Sequence, residues 1–144
     1  PNLTGERCGE VGVKLVSKEK LFRQSDVITI HMVLSERSRD LVDAAELSLM
    51  KSSAYLVNTS RGPIVNESAL LDTLRNRRIA GAGLDVFDIE PLPKDHPLRG
   101  LDNAVLTGHT GYVIAELYDK VYGQAVEDII GWMDKSPVRL LNGE

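Results

Sequence analysis

The sequence lacks several features that mark particular classes of protein. Cys8 is the single cysteine among 144 residues, so no internal disulfide can form, which is typical of a reducing compartment. No apolar run approaches the roughly 20 residues that a membrane-spanning helix needs. Seventeen basic residues stand against 21 acidic ones, and this balance argues against a nucleic-acid or anionic-membrane partner. We therefore predict a cytoplasmic chain that binds neither nucleic acid nor membrane.

The composition and the hydrophobic pattern indicate a globular α/β protein. The chain is 42% hydrophobic and 26% charged, which excludes disorder and collagen-like structure. Short β-branched runs alternate with helical patterns, as in a doubly wound parallel sheet with helices on its faces. Strands are predicted at residues 11–16, 26–32, 54–58, 79–87 and 103–107. Helices are predicted at residues 17–22, 44–50, 67–78 and 113–133, with Ser17, Asp43 and Asn66 as the first three N-caps.

Polar side chains follow four of the predicted strands, at residues 31–35, 59–62, 85–90 and 109–112. In a doubly wound sheet, ligands bind beyond the carboxyl ends of the strands. A purely structural sheet has less reason to carry ionisable groups at those ends. The sequence therefore predicts a ligand site at this edge.

Arg61 and Asp85 are the first candidates at this edge. A Gly-Pro pair follows Arg61, and a guanidinium held in a fixed turn can bind the carboxylate of an acid substrate through two hydrogen bonds. The alternative is a surface arginine paired with a nearby carboxylate. Asp85 lies between small and apolar residues, where a charge is costly to bury unless it is used. The alternative there is a capping or turn aspartate.

Glu90 and His109 are candidates for general acid/base chemistry. A carboxylate bonded to one imidazole nitrogen fixes the tautomer and favours the charged ring, which can then exchange a proton with a carbonyl or hydroxyl. The alternative is a structural histidine. His31 and His96 have no evident partner in the sequence, and we assign them structural or adenosine-side roles.

Taken in order, these motifs resemble the D-isomer-specific 2-hydroxyacid dehydrogenases. The resemblance runs from residue 25 to residue 112 and rests on residues 49–62, 83–87, 90–93 and the turn at His109. It implies a Rossmann-like fold and hydride transfer between NAD and a small D-2-hydroxy acid or 2-keto acid, with NADP left open. It also implies a homodimer. A non-catalytic dinucleotide-sensing or corepressor-type module of the same fold is the alternative.

The resemblance also implies roles for individual residues. Arg61 would hold the substrate carboxylate, His109 would act as the acid/base, and Glu90 would bond His109. Asp85 would bond the nicotinamide carboxamide. The implied cofactor-binding residues are His31, Val33, Thr59, Ser60, Arg61, Asp85, His109 and Gly111, and no metal site is implied.

The sequence departs from the family pattern in several places. Gly108 replaces the proline that usually precedes the catalytic histidine, and Val33 replaces the proline of a His-x-Pro motif. The sequence contains no G-x-G-x-x-G, the turn that holds a pyrophosphate at a helix N-terminus.

These departures lead us to expect a partial Rossmann-like domain without its first βαβ unit and without a substrate domain. Residues 1–112 would be the C-terminal portion of the dinucleotide-binding domain, with Asn2 near the adenosine ribose. Residues 113–144 would form a long helix and tail. We expect such a fragment to bind NAD poorly and to be inactive alone.

Overall fold

The computed structural model describes residues 3–141, so Asn2 lies outside the described part of the chain. The chain divides into two compact units, one extending to His109 and one beginning at Thr110. The predicted division between residues 112 and 113 stays a prediction. No helix within residues 3–141 is long and apolar enough to cross a membrane.

A four-stranded parallel sheet forms the centre of the first unit. Its strands are β1 (Val27–Ile30), β2 (Tyr55–Asn58), β3 (Gly81–Leu84) and β4 (Ala104–Leu106), in the spatial order β1-β2-β3-β4. Ile30 pairs with Asn58, Asn58 with Leu84, and Leu84 with Leu106, so all four strands end in one row. The predicted α/β class and partial Rossmann-like sheet are confirmed.

Helices flank this sheet, and each predicted N-cap is confirmed. The helices are α1 (Gly5–Glu10), α2 (Lys18–Gln24), α3 (Ala44–Leu49) and α4 (Glu67–Arg75), with short 3-10 helices at Gly62–Ile64 and Pro97–Gly100. Ser17 accepts a hydrogen bond from the Lys20 amide. Asp43 forms a capping box with Glu46, and Asn66 accepts a hydrogen bond from the Ala69 amide. These side chains satisfy amides that the first helical turn leaves unpaired.

The core of the first unit joins sheet and helices. Leu56 of β2 and Ile64 are fully buried, and Leu74 of α4 is 1% exposed. Leu70 lies on the same face of α4 and is also buried, as its spacing from Leu74 predicts. These side chains belong to one core cluster, so the turn between β2 and α4 is joined to packed elements at both of its ends.

The predicted strand at residues 11–16 is wrong, and α1 was not predicted. Val11 and Gly12 form the turn after α1, with Gly12 at a φ of 69°, and Val13 is 56% exposed. None of the strands among residues 3–141 pairs with this segment. A β-branched run forms a strand only where a neighbouring strand and a buried face are available.

The second unit is built on one long helix, α5 (Ala115–Met133), close to the predicted residues 113–133. The chain turns back after it, and the Ser136 amide donates to the Gly131 carbonyl oxygen at 2.8 Å. Arg139 then pairs with Glu127 at 2.8 Å and with Asp128 at 2.9 Å. These contacts tie the tail to its own helix.

Candidate active site

Asn58 organises the turn that follows β2. Its side chain is 1% exposed. Its Nδ2 donates to the Arg61 carbonyl oxygen at 2.9 Å, and its Oδ1 accepts from the Ser60 amide at 3.0 Å. A buried amide that is bonded at both ends fixes the backbone of this turn. Sequence reasoning missed Asn58, although a polar residue at the end of a buried strand is a usable signal.

Ser60 joins the ends of β1 and β2. Its hydroxyl donates to the Ile30 carbonyl oxygen at 2.7 Å and accepts from the Met32 amide at 3.1 Å. His31 lies in the same loop, where its Nε2 is 2.9 Å from the Thr29 hydroxyl. His31 therefore has a local partner that its sequence neighbourhood did not reveal.

An open groove of about 540 Å³ lies above these two strand ends. Its lining residues are His31, Met32, Val33, Leu34, Thr59, Ser60 and Arg61. Five of the eight predicted cofactor-binding residues therefore share one surface. Asp85 and His109 lie at the next two strand ends, and Gly111 belongs to the second unit.

Arg61 is exposed at the edge of this groove. Its Nη1 donates to the Ser60 carbonyl oxygen at 2.6 Å, and within residues 3–141 it makes no salt bridge. The alternative of a surface arginine paired with a carboxylate is therefore not the arrangement found. Its charge does reach Glu90, where it helps to lower the pKa of that carboxyl.

Asp85 is a buried carboxylate at the end of β3, with 5% exposure. Its backbone amide donates to the Asn58 carbonyl oxygen at 3.0 Å, and its Oδ1 accepts from the Thr107 hydroxyl. The Thr107 amide in turn donates to the Leu84 carbonyl oxygen at 3.0 Å. Thr107, which sequence reasoning missed, therefore holds the carboxylate of Asp85 from the β4 side.

Glu90 and His109 form the expected pair. Glu90 Oε2 is 2.7 Å from His109 Nδ1, and Glu90 Oε1 accepts from the Phe87 amide at 2.9 Å. Partial burial raises the pKa of Glu90, but the bonds from His109 and Phe87 outweigh it, so the pKa lies below its ordinary value. Both side chains are about one third exposed, at 34% and 35%. They line a cavity of about 260 Å³, so the pair is reachable from outside.

His109 has an unusual backbone conformation. Its φ is 58°, in the left-handed region that few residues other than glycine adopt. Such strain is held in place by the surrounding structure and is concentrated at functional sites. Gly108 and Thr107 lead into it from β4 and line the same cavity. The effect of Gly108 on the approach to His109 stays a prediction.

Gly62 connects the Arg61 turn to the Glu90 loop. A Cβ atom at Gly62 would lie 2.1 Å from the Phe87 carbonyl carbon and 2.6 Å from the Asp88 amide nitrogen. Only glycine lets the two backbones approach so closely. Sequence reasoning treated Gly62 as part of a turn and missed this contact, which packs the Arg61 turn against the backbone that leads to Glu90.

We expect the lowered pKa of Glu90 to make its contribution to stability depend on pH. A carboxyl whose folded pKa is lowered stabilises the fold above its unfolded pKa, which is about 4.3 for glutamate. That contribution disappears as pH falls through the folded pKa. Urea unfolding should therefore show Glu90→Gln less stable than wild type at pH 7, with the gap closing in acid. The exposed Glu36→Gln controls for the lost charge, and an equal gap at both pH values would contradict the expectation.

Comparison with known proteins places this site in a family. Residues 2–111 match the model of the D-isomer specific 2-hydroxyacid dehydrogenase, NAD binding domain. The chain belongs to the D-isomer specific 2-hydroxyacid dehydrogenase family. The matched part is the NAD-binding domain of that family, which indicates NAD as the cofactor, with NADP left open.

Relatives of the dehydrogenase domain share both its sequence and its fold. It is 41% identical over 136 residues to a glyoxylate reductase from Aeropyrum pernix, covering 94% of this chain and 41% of that one. A D-lactate dehydrogenase structure from Sporolactobacillus matches 96% of this chain and 46% of its own, with 30% identity and a TM-score of 0.83. An acyclic imino acid reductase in complex with NADPH and D-Arg matches 98% of this chain and 43% of its own, with 32% identity and a TM-score of 0.78. The chain thus spans less than half the length of each of these relatives.

The residues at this edge fit one end of a dinucleotide. Asp85 offers a buried carboxylate suited to an amide donor, and the groove beside Ser60 and Arg61 offers hydroxyl and guanidinium donors. The sequence provides no glycine-rich turn for the pyrophosphate. Within the described residues, no group of three or more His, Cys, Asp or Glu side chains could hold a metal ion.

Proposed function

We propose that the dehydrogenase chain supplies the catalytic half of an NAD(P)-dependent oxidoreductase that interconverts a small D-2-hydroxy acid and its 2-keto acid. The observation that carries the proposal is the 2.7 Å contact between His109 and Glu90, with the charge of Arg61 acting on the same carboxyl. An acid/base group and a carboxylate-binding cation at one edge are the two elements that this reaction requires.

Each side chain has a role that follows from its chemistry. Glu90 holds Nδ1 of His109 and stabilises the imidazolium, so Nε2 exchanges a proton with the substrate oxygen. His109 donates that proton to the keto oxygen in reduction and removes the hydroxyl proton in oxidation. Arg61 orients the acid through its carboxylate. The positive charges of Arg61 and protonated His109 stabilise the developing alkoxide.

The cofactor contacts are assigned to the same strand ends. Asp85 would hold the carboxamide, while His31, Val33, Thr59, Ser60 and Arg61 would line the cofactor side of the groove, with His109 as a further contact. Gly111, in the second unit, stays a prediction from the sequence. Bound NADH supplies the hydride. The related imino acid reductase was solved with NADPH, so both cofactors belong in the assay.

The alternative is a dinucleotide-sensing or corepressor-type module without catalysis. Such a binder has little use for an acid/base pair, so the Glu90–His109 contact favours the enzyme. A homodimer and a cytoplasmic location stay predictions from the sequence.

A chimera tests the proposal. In it, this chain replaces the matching part of the Aeropyrum pernix glyoxylate reductase, which supplies the remaining three fifths or so of the enzyme. We expect NADH-dependent reduction of glyoxylate, followed as loss of absorbance by NADH. The purified 144-residue chain, assayed alone with glyoxylate or hydroxypyruvate, is expected to show no turnover. A folded chimera that binds NADH but does not reduce glyoxylate would favour the non-catalytic alternative.

A further inference from the structure

Glu90 lies near the start of a segment between β3 and β4 that we call loop 88–96, after its residues. The contact at Gly62 holds the backbone where this loop begins, at Phe87 and Asp88. Within the loop, the Arg99 guanidinium donates to the Leu92 and Pro93 carbonyl oxygens, both at 2.8 Å. Glu90 lies six residues beyond the end of β3, outside the sheet, so its position depends on how this loop is held.

His96 ends the loop and is bonded through both ring nitrogens. Its Nδ1 accepts from the Leu98 amide at 3.3 Å, which caps the 3-10 helix Pro97–Gly100. Its Nε2 lies 3.0 Å from Glu67 Oε1 on α4. Because Nδ1 is an acceptor, Nε2 carries the proton that Glu67 accepts. The two side chains are only 15% and 25% exposed, so water competes weakly for this bond.

Asp88, at the start of the loop, faces the same glutamate. Burial is the main cause that raises the pKa of Asp88, and the charges of Glu67 and Asp40 add to it, while Arg39 and His96 oppose it. Both ends of the loop therefore lie close to Glu67, which bonds His96 and repels the ionised carboxylate of Asp88. Glu67 stands in the first turn of α4, which Asn66 caps and the buried Leu70 and Leu74 anchor.

We propose that Glu67 and His96 form a clasp that closes loop 88–96 and positions Glu90 against His109. The clasp is a positioning device that rests on the proposed function of the Glu90–His109 pair, and it touches neither substrate nor cofactor. It joins the loop to α4 across 29 positions of sequence, between two groups that local patterns cannot pair. His96 thus takes a structural role, one of the two roles that its sequence allowed.

The competing explanation is that His96 only caps its own short helix. Two variants separate the explanations. Asparagine is a strong N-cap, so His96→Asn keeps an acceptor for the Leu98 amide but cannot reach Glu67. Glutamine places an amide NH₂ near the position of Nε2, so His96→Gln keeps a donor for Glu67. Glu67→Ala removes the same contact from the α4 side.

The test is NMR on the 144-residue chain, without substrate or cofactor. Carboxyl ¹³C titration reports the pKa of Glu90, which is lowered in the wild type by the His109 and Phe87 bonds. With the clasp broken in His96→Asn or Glu67→Ala, we expect the pKa of Glu90 to rise toward the ordinary value of a glutamate, because the bond to His109 is weakened. His96→Gln should keep the wild-type value. Amide exchange at residues 88–95 should quicken at least about 10-fold in the first two variants.

A Glu90 pKa that stays at its wild-type value in folded His96→Asn and Glu67→Ala would overturn the clasp. Amide spectra establish folding of each variant, and either clasp-breaking variant is sufficient if the other does not fold. Because the measurement needs no turnover, its result is independent of the chimera assay. An inactive chimera would count against the proposed function and leave the clasp standing.

Discussion

Replacing His109 with glutamine is expected to lower the rate of glyoxylate reduction by the chimera about 1,000-fold, within the range that a positioned acid/base group contributes. Glutamine keeps much of the size of the ring and can still bond Glu90, but it cannot deliver a proton. The loss should appear mainly in kcat, because the substrate carboxylate is assigned to Arg61 and seven of the eight assigned cofactor contacts are made by other residues. Steady-state kinetics with NADH and glyoxylate measure both constants.

NADH binding is the control for this variant. Fluorescence titration should give the same dissociation constant for His109→Gln and for the parent chimera, to within about threefold or 0.7 kcal/mol. A variant that retains more than a tenth of the parent rate would show that His109 is not the acid/base. Loss of NADH binding with an unchanged kcat would assign His109 to the cofactor instead.

Substituting Gly62 with alanine is expected to cost about 3 kcal/mol of unfolding free energy, at the upper end of the usual range for overpacking. The new Cβ would stand 2.1 Å from the Phe87 carbonyl carbon and 2.2 Å from its oxygen, so one backbone segment must move by more than 1 Å to reach ordinary contact. In the chimera this shift should also lower kcat/KM about 100-fold, because it separates Arg61 from Glu90.

Gly83 provides the matched control for Gly62. A Cβ at Gly83 would meet Val57 Cγ2 at 3.8 Å, which is ordinary contact. Gly83→Ala should therefore change the unfolding free energy by less than about 1 kcal/mol in either direction. Urea unfolding of both variants and of the wild type measures the difference. Equal unfolding free energies of the two variants would contradict this prediction, because they would show that the backbone near Gly62 moves aside without loss of stability.

The sequence was sufficient for three helix N-caps, but it missed α1 and predicted a strand at residues 11–16 that does not form. Ser17, Asp43 and Asn66 cap their helices as predicted, because a capping side chain and the amides that it binds are close in sequence. The strands were predicted too long. Val86 and Phe87 continue the apolar pattern of β3 and are buried, yet they lie beyond the end of the strand. Pattern alone cannot tell burial in a sheet from burial in a loop.

Contacts within the site were predictable only where a resemblance supplied them. The Glu90–His109 pair spans 19 positions and was expected because the family motifs align both residues. The bond from Thr107 to Asp85 spans 22 positions, and the bond from His96 to Glu67 spans 29. Nothing local in the sequence joins such partners, since the sheet and α4 bring them together only after folding.

The length of the row in which the four strands end can be compared with the length of a ligand that binds along it. Neighbouring strands are about 4.8 Å apart, so the row from Ile30 to Leu106 is about 14 Å long. A three-carbon acid, with C–C bonds of about 1.5 Å, spans only about 4–5 Å. An acid bound against His109, at the β4 end, therefore fills only about a third of this row. Changes at residues 31–34 should alter which elongated ligand binds while leaving the choice of acid untouched.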